Sequence, residues 1–152
     1  MDSGNTPAIA APQRWRILAV LLRLLGVIDL LAVVVVGLPL EGIESIHRWT
    51  GLEPIPAQSL VEYLIRATAM MYGMFGALLI FLSLDVARFR PVIRFLGALA
   101  ILHGTVMTVV DRSLGMPWWW CAAEGPIFAA IGIVIVVLSR PYSASNAESQ
   151  TA

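Results

Sequence analysis

The chain has 152 residues, of which 59% are hydrophobic and only 13% are charged. A soluble globular domain carries about 25% charged residues, and a single domain of this length cannot hide so much apolar side-chain area from water. The ten basic residues balance the ten acidic ones, so no excess of positive charge points to nucleic acid as a partner. Lipid is therefore expected to cover much of the protein.

The predicted fold is all-α, a polytopic membrane protein with a bundle of four transmembrane helices. About 20 consecutive apolar residues span the hydrocarbon core of a bilayer, and the sequence contains four such stretches. Residues 14–141 form the transmembrane domain, and polar residues 1–13 and 142–152 are predicted to be disordered cytoplasmic tails. The four predicted spans are residues 16–38, 60–84, 92–110 and 118–138.

Two of the connecting segments have patterns of their own. In the first long loop, Ile43, Ile46 and Trp49 recur on one side of residues 41–50, which predicts a short helix at the membrane interface. Residues 85–91 are predicted to be a loop, with Pro91 in the first turn of the third span, where proline is tolerated.

The arginines are distributed unequally between the two ends of the predicted spans. Loops at one set of ends carry only Arg48 and Arg112, against four acidic residues. Positive residues accumulate on the cytoplasmic side, so both termini and the middle loop are predicted to be cytoplasmic, with the tryptophans at 118–120 as an outer aromatic belt. The opposite set of ends carries six arginines: Arg14, Arg16, Arg88, Arg90, Arg94 and Arg140.

Small residues recur on one face of each span, which is typical of surfaces where membrane helices approach closely. Ionisable residues lie on or beside the same faces, where a bundle shields them from lipid. The predicted stripes are Gly26, Asp29, Val33 and Gly37 in the first span; Glu62, Arg66, Ala69, Gly73 and Ala77 in the second; Gly97, Ala100, Gly104, Thr108 and Asp111 in the third; and Gly125, Ala129 and Gly132, with Glu124 adjoining, in the fourth.

Six ionisable residues of the spans form the candidate functional site. Such residues are costly in a membrane and by default indicate function. Counted from the outer helix ends at 1.5 Å per residue, Arg66, His103 and Glu124 are about 9–11 Å deep and Asp29 slightly deeper, while the other two lie near the rim. Glu62 and Arg66 are spaced i, i+4, so they can pair. The six candidates are Asp29, Glu62, Arg66, His103, Asp111 and Glu124.

Two interpretations of these residues remain open. Asp29, Arg66 and Glu124 could form an ionic clasp that only fixes helix register, or the layer could be a polar pocket open to the outer side. Several chemistries lack their motifs: there is no glycine-rich phosphate loop, no nucleophile elbow and no histidine pair with metal or haem spacing. The sequence predicts no metal and no cofactor, and it identifies no catalytic residue.

Short motifs along residues 60–135 resemble small bacterial membrane proteins of the DoxX-like and BphX-like kind. The resemblance implies a compact four-helix bundle, often encoded beside oxidoreductase or catabolic genes, without an established activity. No quinone-specific motif accompanies it. The motifs are Glu62-x-x-x-Arg66, Gly76-Ala-Leu-Leu79, Arg90-Pro91, Asp111-x-x-x-Gly115-x-Pro117 and Glu124.

The leading functional hypothesis is a non-enzymatic accessory or small-molecule-binding protein of the bacterial inner membrane. A proton-coupled transporter with Asp29 or Glu124 as carrier is the first alternative. A membrane enzyme acting on a lipid or quinone, with His103 and a carboxylate as acid and base, is the second. The expected partners are the lipid bilayer and either further copies of the chain or a membrane oxidoreductase.

The orientation is testable with reporter fusions at Ala152 and Gly51. Because both termini are predicted to be cytoplasmic, a reporter that is active only in the cytoplasm should work at Ala152, and one that is active only in the periplasm should work at Gly51. Periplasmic activity at Ala152 would overturn the orientation.

Overall fold

The computed structural model describes residues 13–51, 54–56 and 58–140. These residues are helical, without strands, and four helical segments are long and apolar enough to cross a membrane: residues 13–37, 59–83, 86–113 and 118–138. The predicted fold class, an all-α multi-pass membrane protein with four transmembrane helices, is confirmed. The helices are α1 (Gln13–Leu31), α2 (Val34–Gly37), α3 (Leu40–Trp49), α4 (Ser59–Ser83), α5 (Val86–Ser113) and α6 (Trp118–Leu138).

The bounds of the helices differ most from the prediction at α5. This helix begins at Val86, so the predicted loop 85–91 is almost entirely helical, and it continues to Ser113 rather than ending near residue 110. Pro91 is its sixth residue, not part of its first turn. Since proline lacks an N–H, the helix loses only the hydrogen bond to the exposed carbonyl of Ala87. The predicted disordered tails lie outside the described residues, except that Gln13 begins α1.

The first span consists of two helices because the helical hydrogen bonds change at Ala32 and Val33. The Ala32 N–H donates to the Asp29 carbonyl at 3.1 Å, and the Val33 N–H donates to the Leu30 carbonyl at 3.1 Å. These three-residue steps tighten the chain before α2, whose four residues continue the span. The predicted interfacial segment is also helical, as α3. Gly51 follows it with φ +77°, a conformation that glycine adopts without steric cost.

The chain divides into two compact units, an N-terminal unit (Ala19–Asp85) and a C-terminal unit (residues 13–18 with those from Val86 onward). In the N-terminal unit, α1 crosses α4 where Gly26 meets Gly76. A Cβ added to Gly76 would lie 2.5 Å from the Gly26 carbonyl oxygen, and one added to Gly26 would lie 2.7 Å from the Gly76 oxygen. The two backbones are therefore in direct contact.

The predicted contact stripe of α4 was wrong at its last position. Ala69, Gly73 and Gly76 are buried, whereas Ala77 is exposed. Repeated steps of four residues overshoot a 3.6-residue turn by about 40° each, so a stripe that advances only by fours drifts away from the contact. A step of three after Gly73 restores the direction and reaches Gly76.

In the C-terminal unit, the predicted small-residue faces of α5 and α6 meet along an antiparallel seam. A Cβ on Gly132 would lie 2.5 Å from the Gly97 carbonyl oxygen, and one on Gly125 would lie 2.5 Å from the Gly104 oxygen. The Thr108 backbone N also lies 2.8 Å from the Cβ position of Gly125. Small side chains thus permit backbone contact along about three turns of α5.

Substitution of Gly104 by leucine should disrupt the protein more than Leu102→Ala. A Cβ on Gly104 would collide with the Gly125 carbonyl and lie 2.6 Å from the Ala129 nitrogen, whereas Leu102 is 60% exposed. Overpacking costs about 1–3 kcal/mol, and an exposed substitution costs about 0.5 kcal/mol or less. Thermal unfolding of both purified variants in detergent measures the difference, and equal midpoints would contradict the seam.

Candidate functional site

Arg66 and Glu62 form the ion pair that their spacing on α4 predicts. The Arg66 Nε and Nη2 atoms both donate to the Glu62 Oε1 atom, at 3.1 and 2.7 Å. The side chains are 28% and 38% exposed, so the pair is neither fully buried nor free in solvent. An exposed pair of this kind typically contributes about 0.2–1 kcal/mol.

Arg66 also forms a third hydrogen bond, outside its pair with Glu62. Its Nη1 atom donates to the Val36 carbonyl in α2. Because α2 ends at Gly37, its carbonyls have no donors four residues later, and a helix end needs such partners. Arg66 therefore joins α4 to the end of the first span, as a clasp within the N-terminal unit.

Asp29, on α1, meets α4 too far from Arg66 to take part in this clasp. A Cβ on Gly76 would be 3.0 Å from the Asp29 Cβ, and Gly76 is ten residues from Arg66, about 15 Å at 1.5 Å per residue. The hypothesis that Asp29 clasps Arg66 is therefore wrong, and Glu62 is the acid in contact. Among the described residues, the half-buried Asp29 carboxyl forms no ion pair or hydrogen bond.

The depth predicted for Arg66 also changes. The Arg66 guanidinium reaches the Val36 carbonyl, in the last turn of the first span, although Arg66 is seven residues into α4. The expected depth assumed that the helices end at the same level, but α4 starts about two turns beyond the end of α2. Arg66 and Glu62 consequently lie at the end of the α1–α4 pair rather than inside it.

In the C-terminal unit, the distinctive residue is Asp111, near the end of α5. Asp111 is 3% exposed, and its Oδ2 atom has no hydrogen-bond partner among the described residues. The backbone around it is well satisfied: Gly115 has φ +70°, and the Met116 N–H donates to the Asp111 carbonyl at 3.0 Å. This arrangement closes the helix as a Schellman motif. The Asp111 atom without a hydrogen-bond partner among the described residues is therefore the side-chain Oδ2.

The remaining two candidates lie along the same α5–α6 seam as Asp111. His103 is eight residues before Asp111 on α5, which turns its side chain about 80° around the helix from that of Asp111. The His103 ring meets the Phe128 ring edge to face, with centroids 5.2 Å apart. Glu124, four residues before Phe128, is half-buried and lies one turn nearer the Asp111 end. The order along the seam is therefore His103 with Phe128, then Glu124, then Asp111.

These positions do not assemble an acid–base pair. His103 and Asp111 are about 12 Å apart along α5 at 1.5 Å per residue, whereas acid and base must come within about 3 Å of a reacting group. Among the described residues, the imidazole contacts the Phe128 ring and forms no hydrogen bond. In the same part of the chain, no group of three or more histidine, cysteine or acidic side chains could hold a metal ion.

Besides the hydrogen bond from Arg66 to the Val36 carbonyl, sequence reasoning missed two polar contacts. The Arg23 Nε donates to the buried Ser83 Oγ at 3.2 Å, and the Cys121 Sγ donates to the Met116 carbonyl at 3.4 Å. Ser83 follows Gly76 by seven residues, so extending the α4 stripe by two turns would have found the first contact. The second depends on the shape of the turn after α5, which has no comparable pattern in the sequence.

Comparison with known proteins finds no family model, no curated relative and no solved structure that matches this chain. The resemblance to DoxX-like and BphX-like proteins therefore stays a prediction.

The Arg66 clasp is testable by a double-mutant cycle with Glu62→Leu and Arg66→Met. Because Arg66→Met removes three hydrogen bonds and leaves the Val36 carbonyl without its donor, we expect a loss of about 1–3 kcal/mol in the free energy of unfolding. The coupling between the two substitutions should exceed about 0.5 kcal/mol, the scatter of independent sites. Detergent-solubilised protein is the sample, and unfolding midpoints are the measurement.

A matched control pair lies on α3, where Arg48 and Glu44 are also four residues apart, 3.8 Å from each other and 62% and 34% exposed. Its coupling should be near zero, because among the described residues no second partner orients the Arg48 side chain. Asp29→Leu should add to Arg66→Met without coupling. A coupling of Arg66 to Asp29 that exceeds its coupling to Glu62 would contradict the assignment.

Proposed function

We propose that this protein is a small-molecule-binding or accessory protein of the bacterial inner membrane, and that its ligand binds beside the outer half of the α5–α6 seam. Asp111, Glu124 and His103 would form the binding site, while Glu62 and Arg66 would act as a structural clasp. The proposal keeps the orientation that the arginines predict, with both termini in the cytoplasm.

The observation that carries the proposal is the unpartnered Oδ2 atom of the buried Asp111 side chain. Nearly all buried polar groups in proteins have a hydrogen-bond partner, and a buried group left without one costs about 1–3 kcal/mol. A ligand that donates to this oxygen would remove the cost. The side chain is therefore better explained by binding than by stability.

The position of Asp111 in α5 strengthens this argument. It lies in the last turn of the helix, where the helix dipole leaves partial negative charge on the final carbonyls, so an acidic side chain is unfavourable there. A residue chosen only for stability would be apolar or basic. Arg112, the next residue and exposed, is the type that favours a helix C-terminus.

A proton-coupled transporter is the second candidate, and Asp29 favours it. Its carboxyl has no ion pair among the described residues, and its carbonyl accepts the first hydrogen bond of the break between α1 and α2. Transporters place interrupted helices at their binding sites. Proton flux into vesicles that is unchanged in both Asp29→Asn and Glu124→Gln would eliminate this candidate, and flux unchanged in Asp29→Asn alone would eliminate Asp29 as the carrier.

We also propose a partner for this protein. The resemblance to DoxX-like proteins supports a membrane oxidoreductase as the neighbour that the accessory function serves. The exposed apolar side chains of all four spans are compatible with a lipid bilayer, and further copies of the chain are the other candidate partner. An enzymatic role ranks last, because His103 has no carboxylate within hydrogen-bonding distance among the described residues.

The proposal predicts that Asp111→Asn and Asp111→Leu raise the stability of the ligand-free protein. Both substitutions remove an acidic group that is buried without a partner and close to a helix C-terminus, so we expect a gain of about 1 kcal/mol. The exposed neighbour gives the matched control: Arg112→Gln should leave stability unchanged or lower it slightly. Thermal unfolding in detergent measures all three variants.

The opposite result would be decisive. If both Asp111 variants unfold several degrees below the wild type, Asp111 is a structural residue, and the proposed binding site loses its main support.

A further inference from the structure

We propose, on the basis of this binding function, that the ligand is a lipophilic organic cation. Its charge would lie between Glu124 and Asp111, and its apolar body would lie against the His103 and Phe128 rings. The order of side chains along the α5–α6 seam indicates this chemical class of ligand.

The charges of Glu124 and Asp111 are not balanced by an ion pair among the described residues. Arg112 is exposed and follows Asp111, so it points about 100° around the helix from it. Apart from Arg112, the arginines nearest along the same two helical segments are Arg94, 17 residues from Asp111, and Arg140, 16 residues from Glu124, each about 25 Å away along the helix. Among the described residues, neither acid therefore has a basic partner.

Ionisable residues inside membrane spans almost always pair with another group. Two acids on the facing helices of one seam, neither with a basic partner among the described residues, are complementary to a positive charge. The buried Oδ2 atom of Asp111 accepts no hydrogen bond from the described residues. A cationic ligand would supply the missing charge and, if it carries an N–H, the missing donor.

The neighbouring side chains argue against an inorganic cation. Hard metal ions such as Ca²⁺ require six or more oxygen ligands, and no group of three or more suitable side chains exists in the described part of the chain. The residue one turn from Glu124 is instead Phe128, whose ring meets the His103 ring at an interplanar angle of 61°. Aromatic rings attract organic cations through their negative faces.

The exposure of the side chains changes along the seam in a way that suits an amphiphilic ligand. His103 is exposed, Glu124 is half-buried and Asp111 is buried. A ligand could therefore approach from the lipid-facing side at His103 and place its charged group towards Asp111. An apolar body suits this approach, because Leu99 and Val106, near His103 on α5, are exposed apolar residues.

The test compares tetraphenylphosphonium with tetraphenylborate, two ions of almost the same size and shape but opposite charge. Calorimetric titration into the full-length protein in a non-ionic detergent measures both. We expect saturable binding of the phosphonium at one site per chain and no comparable binding of the borate. Equal binding of both ions would mean that only apolar contact is involved, and this would overturn the proposal.

Acid-to-amide variants locate the site. Asp111→Asn and Glu124→Gln should each weaken phosphonium binding at least tenfold, because each removes a negative charge without changing the shape of the side chain. Glu41→Gln, an exposed acid on α3, makes the same change in net charge and should bind as the wild type does. Unchanged affinity in both Asp111→Asn and Glu124→Gln would also overturn the proposal.

The outcomes separate this inference from the proposed function. If Asp111→Asn stabilises the ligand-free protein but the phosphonium and the borate bind equally, the cation class is wrong and the binding site survives. If Asp111→Asn destabilises the protein, the binding site itself is wrong. Loss of binding in the stable Glu124→Gln variant still tests the cation class independently of any folding defect at Asp111.

Discussion

Close contact between helix backbones is the constraint on which the rest of the structure depends. In a membrane, apolar side chains gain little by leaving lipid for another helix, so association depends on van der Waals contact and a few polar interactions. Here the contact is provided by glycine pairs, Gly26 with Gly76 in one unit and Gly104 with Gly125 in the other. Each pair sets the register of its helices and thereby the level at which every polar side chain lies.

The two units use their polar residues differently. In the N-terminal unit, Arg66 donates hydrogen bonds to the Glu62 carboxylate and to the Val36 carbonyl in the short helix α2. It therefore supplies a donor to a carbonyl at the end of the broken span. In the C-terminal unit, the backbone after α5 is closed by its own hydrogen bonds, and it is the Asp111 side chain that remains unmatched. One unit satisfies its polar groups internally, and the other retains a group suited to an external partner.

This difference bears on how charged residues in membrane proteins are interpreted. A charge in a span is a functional candidate until its partners are known, since the same residue type serves as a clasp or as a ligand contact. Arg66 and Asp111 were both candidate site residues on the sequence alone. Their hydrogen bonds distinguish them: three for the Arg66 guanidinium, and none for the Asp111 Oδ2 atom within the described residues.

The sequence by itself determined the fold class, the four spans, the i, i+4 ion pair and most of the contact stripes. These follow from local rules, namely the apolar length that a bilayer requires and the periodicity of a helix. Only the tertiary structure decided that α4 begins beyond the end of the first span, that Gly76 rather than Ala77 makes the contact, and that Asp29 meets α4 at Gly76, ten residues from Arg66. Such facts depend on the relative shift of two helices, which is set by a few backbone contacts between residues distant in sequence. Counting residues along a single helix cannot predict that shift.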